Sequence, residues 1–178
     1  MKISRFVVAL SALLPGSYLM AAPLSGSNPA EGHGEVYRVI DGDTYIVNVH
    51  SDEVFARFKR EAEGNQRRER YLNDQHKSIR LRLANVDTPE SVHANESMNT
   101  QEGRDISNLV KNTVEGEDAY FKCYDWGDYG RLICNMAIYQ NDQWFDVGHW
   151  LIRDGYSDYI QRWGDNPFFH NEYLEATR

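Results

Sequence analysis

The sequence predicts an α+β domain, on three observations. Short runs alternate apolar and polar residues with a period of two, most clearly Ile79-Arg80-Leu81-Arg82-Leu83, and such a run is a strand with one buried face. Between these runs, apolar residues recur every three to four positions, as in Ile106, Leu109, Val110 and Val114, the spacing of an amphipathic helix. At 178 residues, 41% of them hydrophobic and 12% aromatic, the chain is long enough to enclose one core and short for two. Spacing alone selects no architecture within this class.

In chain order, the first stretch is Met1-Lys2-Ile3-Ser4-Arg5, an apolar run Phe6–Leu14, Pro15-Gly16, and small residues at Ala21-Ala22. A basic start, an apolar centre and a small-residue end are the layout of a secretory signal peptide, expected over 1–22. The apolar run is too short to span a bilayer, and a buried N-terminal helix is the alternative. Residues 23–34, rich in Pro, Ser, Gly and Asn, read as a flexible lead, which puts the domain at 35–178. No later segment has the length and apolarity of a membrane span.

Val36–Ile40 and Tyr45–Val49 flank Asp41-Gly42-Asp43 as a hairpin. Ser51–Lys77 is nearly half charged. It reads as an insertion whose first part is a helix capped by Ser51, with Val54, Phe55, Phe58 and Ala62 on one face and Gly64-Asn65-Gln66 as its stop. Arg67, Arg68 and Arg70 form a basic cluster there, nearly cancelled by Asp52, Glu53, Glu61, Glu63, Glu69 and Asp74. The segment reads either as a solvated excursion or as a nucleic-acid contact. The strand at Ile79–Leu83 follows and ends before Pro89, which lacks an N–H and holds its predecessor extended. After a polar loop at 91–100, a helix is expected over 101–115, with Gly116 as its stop. Tyr120–Tyr124 and Leu132–Tyr139 read as a strand pair around the Trp126–Gly130 turn. A short helix is expected over 146–154, and a last one over 166–178 with Asn166 as cap and Pro167 at its first position.

Three pieces carry chemistry. Asp41-Gly42-Asp43-Thr44 is an acidic turn between two strands. Asp87-Thr88-Pro89-Glu90 presents two carboxylates just past a strand end, with Arg82 on the polar face of that strand. Asp128-Tyr129-Gly130-Arg131 is a turn that ends in a second arginine. Carboxylates suit a hard divalent cation, and a planar guanidinium can bond two phosphate oxygens at once. In this order, Asp-Gly-Asp-Thr, Arg-Leu-x-x-Val-Asp-Thr-Pro-Glu and Tyr-Gly-Arg resemble the staphylococcal nuclease (thermonuclease) family, from about Val36 to Tyr156.

The resemblance implies an OB-fold-like five-stranded β-barrel with about three packed helices. It implies one Ca²⁺, held by Asp43, Asp87 and the backbone carbonyl of Thr88, with Asp41 near the metal through water. Arg82 and Arg131 would be the phosphate clamps, and Glu90 the general base for in-line attack of water on phosphorus. Tyr129 either bonds a phosphate or packs its turn. Arg80, on the same face as Arg82, is expected to be solvated.

Two features depart from the usual pattern of a nucleic-acid enzyme. The chain has 27 acidic and 19 basic residues, net −8, whereas nucleic-acid binders are usually basic. Polyanion binding here would rest on local arginines and a cation rather than on a global field. Cys123 and Cys134 are the only cysteines, and they stand equidistant from the Asp128-Tyr129 turn. In a hairpin they face each other, and export would favour a disulfide; two buried thiols are the alternative. No Cys-x-x-Cys or paired histidine accompanies them, which argues against zinc. The expectation is an exported, periplasmic or extracellular, monomeric nuclease of DNA or RNA that is free of the membrane once the leader is removed. The rival from another class is a non-catalytic OB-type nucleic-acid-binding module, and such modules lose site carboxylates or arginines that this chain retains.

Overall fold

The computed structural model describes residues 22–91, 97 and 99–178. The expected leader, apart from Ala22, lies outside them, as do residues 92–96 and 98 of the loop expected after the central strand. The described strands are β1 (Ala30–Asp41), β2 (Thr44–Val49), β3 (Leu72–Asn73), β4 (Ser78–Leu83), β5 (Asp118–Trp126), β6 (Leu132–Gln140) and β7 (Gln143–Asp146). The helices are α1 (Asp52–Ala62), α2 (Gln66–Glu69), α3 (Gln101–Val114), α4 (Val147–Arg153) and α5 (His170–Ala176).

Five strands close a barrel. β1 pairs antiparallel with β2 and β5, β2 with β4, and β5 with β6. The ring is shut by a parallel pairing of β4 with β6, which sets Leu81 beside Leu132 and Leu83 beside Cys134. β3 and β7 extend the sheet at its two ends. This is the OB-like α+β architecture that the resemblance implies. The central strand β4 alternates as its sequence demands. Ile79, Leu81 and Leu83 are buried in the barrel, while Arg80 and Arg82 point to the outer, half-exposed face. Cys123 and Cys134 are direct cross-strand partners and are joined by a disulfide.

The structure corrects four expectations. The lead is not free to residue 34, because β1 starts at Ala30 and its first six residues pair with β5. Its glycines serve close approach rather than flexibility: a Cβ at Gly34 would fall 2.3 Å from the Asn48 carbonyl oxygen. The 51–77 segment is not a solvated excursion either. Ser51 does cap α1, accepting from the Val54 N–H, and the helix buries Phe55, Phe58 and Ala62. Phe58 is fully enclosed, its ring 6.2 Å from that of Phe121, a burial that contributes about 1.5–3 kcal/mol. There are five helices among the described residues rather than about three. The last begins at His170, because the Asn166 side chain accepts from the N–H groups of Phe168 and Phe169 and so closes a turn ahead of it. That helix is anchored by buried Tyr173, whose hydroxyl accepts from Asn135 and donates to Asp146.

Candidate active site

The site forms where the β1–β2 turn meets the end of β4. The antiparallel register sets Thr44 opposite Arg82, so the acidic turn and the end of the arginine strand are neighbours by construction. Close packing fixes the approach: a Cβ on Gly42 would lie 2.6 Å from the Thr88 hydroxyl oxygen. Only a residue without a side chain lets the Asp-Gly-Asp turn seat against Asp-Thr-Pro-Glu.

One guanidinium nitrogen of Arg82 bridges the two expected metal-ligand carboxylates. Its Nη2 lies 3.0 Å from Asp43 Oδ2 and 2.6 Å from Asp87 Oδ1, and it also donates to the Val86 carbonyl. Asp43 is 4% exposed, and burial raises its carboxyl pKa, opposed by the Arg82 charge and the Thr44 hydroxyl. Arg131 reaches the same place through one hydroxyl. Its Nη1 donates to Thr44 Oγ1 at 3.0 Å, and that hydroxyl donates to Asp43 Oδ1 at 2.8 Å. Burial pulls the Arg131 guanidinium pKa down, helped by the neighbouring Arg82 charge.

The other expected residues divide. Asp41 is committed to the scaffold: Oδ1 accepts from the hydroxyls of Ser91 and Ser107 at 2.7 and 2.9 Å, tying β1 to the segment after Glu90 and to α3. Glu90 is half-buried. Its main chain is held by α3, since the Thr100 N–H donates to the Glu90 carbonyl and Gly103 leaves no room for a Cβ against that oxygen. Tyr129 is 70% exposed at its turn. Arg80 is not simply solvated: it is half-buried, with its guanidinium 5.4 Å from the Tyr71 ring centroid.

Several residues at the site lacked a signal in the sequence. Arg162 lies 3.0 Å from Asp87 Oδ2 and stacks on exposed Trp163, 4.2 Å from its centroid. The Ser157 hydroxyl accepts from the Asp87 N–H. Asn85, at a φ of 60°, donates to the carbonyls of Ile160 and Gly164, which holds this C-terminal strap beside the acidic turn. No local pattern announces a pairing across some 75 residues. The Asn at a strand end, a residue type that tolerates positive φ, is the one hint.

The donor set fits a hard cation. Asp43 and Asp87 both offer oxygen, and the point they share here is the Arg82 guanidinium nitrogen. The Thr88 hydroxyl is enclosed without a hydrogen-bond partner among the described residues, so this corner has polar capacity to spare. No group of three His, Cys, Asp or Glu side chains gathers among the described residues, so further ligands would be carbonyls and water.

Two relatives, each named an uncharacterized endonuclease, one of Escherichia coli O157:H7 and one of Escherichia coli, are 25% identical over 138 residues, covering 78% of this chain and 67% of the relative. Residues 80–178, more than half the chain, match the family described as staphylococcal nuclease homologue. That span includes Arg82, Asp87, Thr88, Glu90 and Arg131, while Asp41 and Asp43 precede it. With its barrel and its matched span, the chain belongs to the staphylococcal nuclease homologue family.

Proposed function

We propose that the protein is an exported, Ca²⁺-dependent nuclease that hydrolyses phosphodiester bonds of DNA or RNA. The observation that carries this reading is the convergence of Asp43, Arg82 and Asp87 at one point, with Arg131 one hydroxyl away, in a chain of this family. The relatives named endonucleases add support. Asp43, Asp87 and the Thr88 carbonyl would hold the calcium ion, which when bound supplies positive charge to polarise a phosphoryl oxygen. Arg82 and Arg131 grip the non-bridging oxygens, and their charge counts most when the phosphoryl group becomes more negative in the transition state. Glu90 takes the proton of the attacking water, or orients it in line with the leaving oxygen. Asp41 keeps the acidic turn and the Glu90 segment in register. The leader expected at 1–22 and the Cys123–Cys134 bond are compatible with export. Among the described residues no helix is long and apolar enough to cross a membrane.

The test is cleavage of single-stranded DNA and of RNA with added Ca²⁺ and with a chelator. Cleavage that needs Ca²⁺ is the expected result. Binding of either polymer with no cleavage under both conditions would make the non-catalytic binding module the better reading.

A further inference from the structure

We propose that Arg70 and Arg80, which lie over the ring of Tyr71, and Arg67, beside the 128–131 turn, form an accessory phosphate track that holds the substrate strand beyond the bond being cut. The proposal rests on the nuclease reading above and adds a surface to it. Arg70 and Arg80 lie over the ring of Tyr71, at 4.6 and 5.4 Å from its centroid. Arg70 also donates to the Tyr71 hydroxyl and, at 3.1 Å, to the Tyr129 carbonyl. The track abuts the clamp turn directly, since a Cβ on Gly130, next to Arg131, would fall 2.3 Å from the Arg67 carbonyl oxygen. The Arg67 guanidinium lies at the same turn, its Nη1 3.5 Å from the Asp128 carbonyl oxygen.

Charge supports this reading. The lysines of the same insertion are neutralised, Lys59 by Asp74 and Lys77 by Asp52, each at 2.8 Å, and Arg57 pairs with Glu61. Arg67, Arg70 and Arg80 have no carboxylate within ion-pair distance among the described residues, although the segment is rich in acids. Arg67 and Arg70 are exposed, and the Nε of Arg80 is enclosed without a hydrogen-bond partner among the described residues. Arg68 differs: it turns inward, over the Trp126 ring, and donates to the Glu61 carbonyl. A chain of net charge −8 that leaves three neighbouring guanidiniums without acids presents a local anion site. Continuity with Arg131 makes a run of phosphodiesters its occupant, and arginine forks suit phosphate oxygens.

The experiment compares wild type with Arg67→Gln and with the Arg67→Gln/Arg70→Gln pair. Binding of a labelled single strand of about a dozen nucleotides is followed by fluorescence anisotropy in chelator over a range of salt. The slope of log affinity against log salt is expected to become shallower by about 0.7 for each phosphate no longer held. With Ca²⁺, the preference for the long strand over a dinucleotide, taken as a ratio of kcat/KM, is expected to fall about tenfold in the pair. An unchanged slope, or equal losses on long and short substrates, overturns the proposal and marks these arginines as supports of the Arg131 turn. If the pair fails to fold, Arg67→Gln at its exposed position carries the test with one phosphate's worth of slope. Wild type that binds with the expected differences but never cleaves sinks the nuclease reading and leaves the track standing. Wild type that cleaves while the slopes coincide does the reverse.

Discussion

Arg82 is held between two carboxylates, its Nη2 at 3.0 Å from Asp43 and 2.6 Å from Asp87, and the roles proposed for its neighbours can be tested one at a time. Glu90→Gln keeps the shape of the side chain and removes its basicity, so turnover should fall by roughly 10²–10⁴. Strand binding should change far less. Arg131→Lys keeps the charge and loses the fork, so its cost should appear mainly in kcat. Steady-state kinetics beside binding in chelator checks both, and activity indifferent to the two changes would remove these residues from the chemistry. A second residue-level expectation concerns Asp146, which caps α4 by accepting from the His149 N–H and also accepts from the Tyr173 hydroxyl. Burial raises its carboxyl above the ordinary 3.8. In the window above that value the folded chain keeps a proton that the unfolded chain has released, so this contribution to stability declines as pH rises. Asp146→Asn retains an accepting oxygen and does not titrate. Its stability relative to wild type should therefore improve as pH rises from about 4, as read by urea unfolding in chelator; a difference flat with pH would sink this assignment. Asp43 shifts in the same direction and is present in both proteins.

Among the elements, α1 changes the meaning of the insertion. Phe58 lies fully inside the core against Phe121, so Phe58→Ala should cost about 3–5 kcal/mol in chemical denaturation. A cost under about 1 kcal/mol would return the segment to the status of a surface excursion. Deleting 51–77 would for the same reason remove part of the core along with the surface charge. The β5–β6 pair carries the disulfide across a sequence separation of 11 residues. Replacing both cysteines by alanine should lower stability by roughly 2–3 kcal/mol, chiefly by freeing the unfolded chain. Thiol titration of denatured, unreduced protein should find no free thiol. Two free thiols in protein exported by its native host would contradict the bond.

For the whole molecule, the acidic balance makes binding a local matter. The barrel brings the arginines of β4 and of the β5–β6 turn to one end, in a chain whose net charge of −8 opposes a polyanion at long range. A ligand that binds only the folded state raises its stability by mass action. Ca²⁺ should therefore raise the thermal midpoint of wild type, and this increment should disappear in Asp87→Asn. Differential scanning calorimetry with Ca²⁺ and with chelator measures it without reference to turnover. An equal increment in both proteins would place the ion elsewhere.

Local periodicity determined much of the fold. Alternation in β4 follows from a pleated strand with one wet face, and the α3 residues Ile106, Val110 and Val114 are buried as their spacing requires, although Leu109, expected on the same face, is exposed. The facing cysteines and the carboxylates of the acidic turn and strand end were legible because each depends on near neighbours in the chain. Tertiary structure decided what depends on distant ones. Gly34 reads as flexible until Asn48 approaches it. The scaffold role of Asp41 shows only once Ser91 and Ser107 come to its Oδ1. Arg162, which no sequence motif marks, is brought to Asp87 by the strap held by Asn85. The parallel closure of β4 on β6, which sets Arg131 beside Arg82, joins segments about 50 residues apart. Hydrogen-bond ladders and burial fix that pairing only once the whole barrel closes, so no window of sequence contains it.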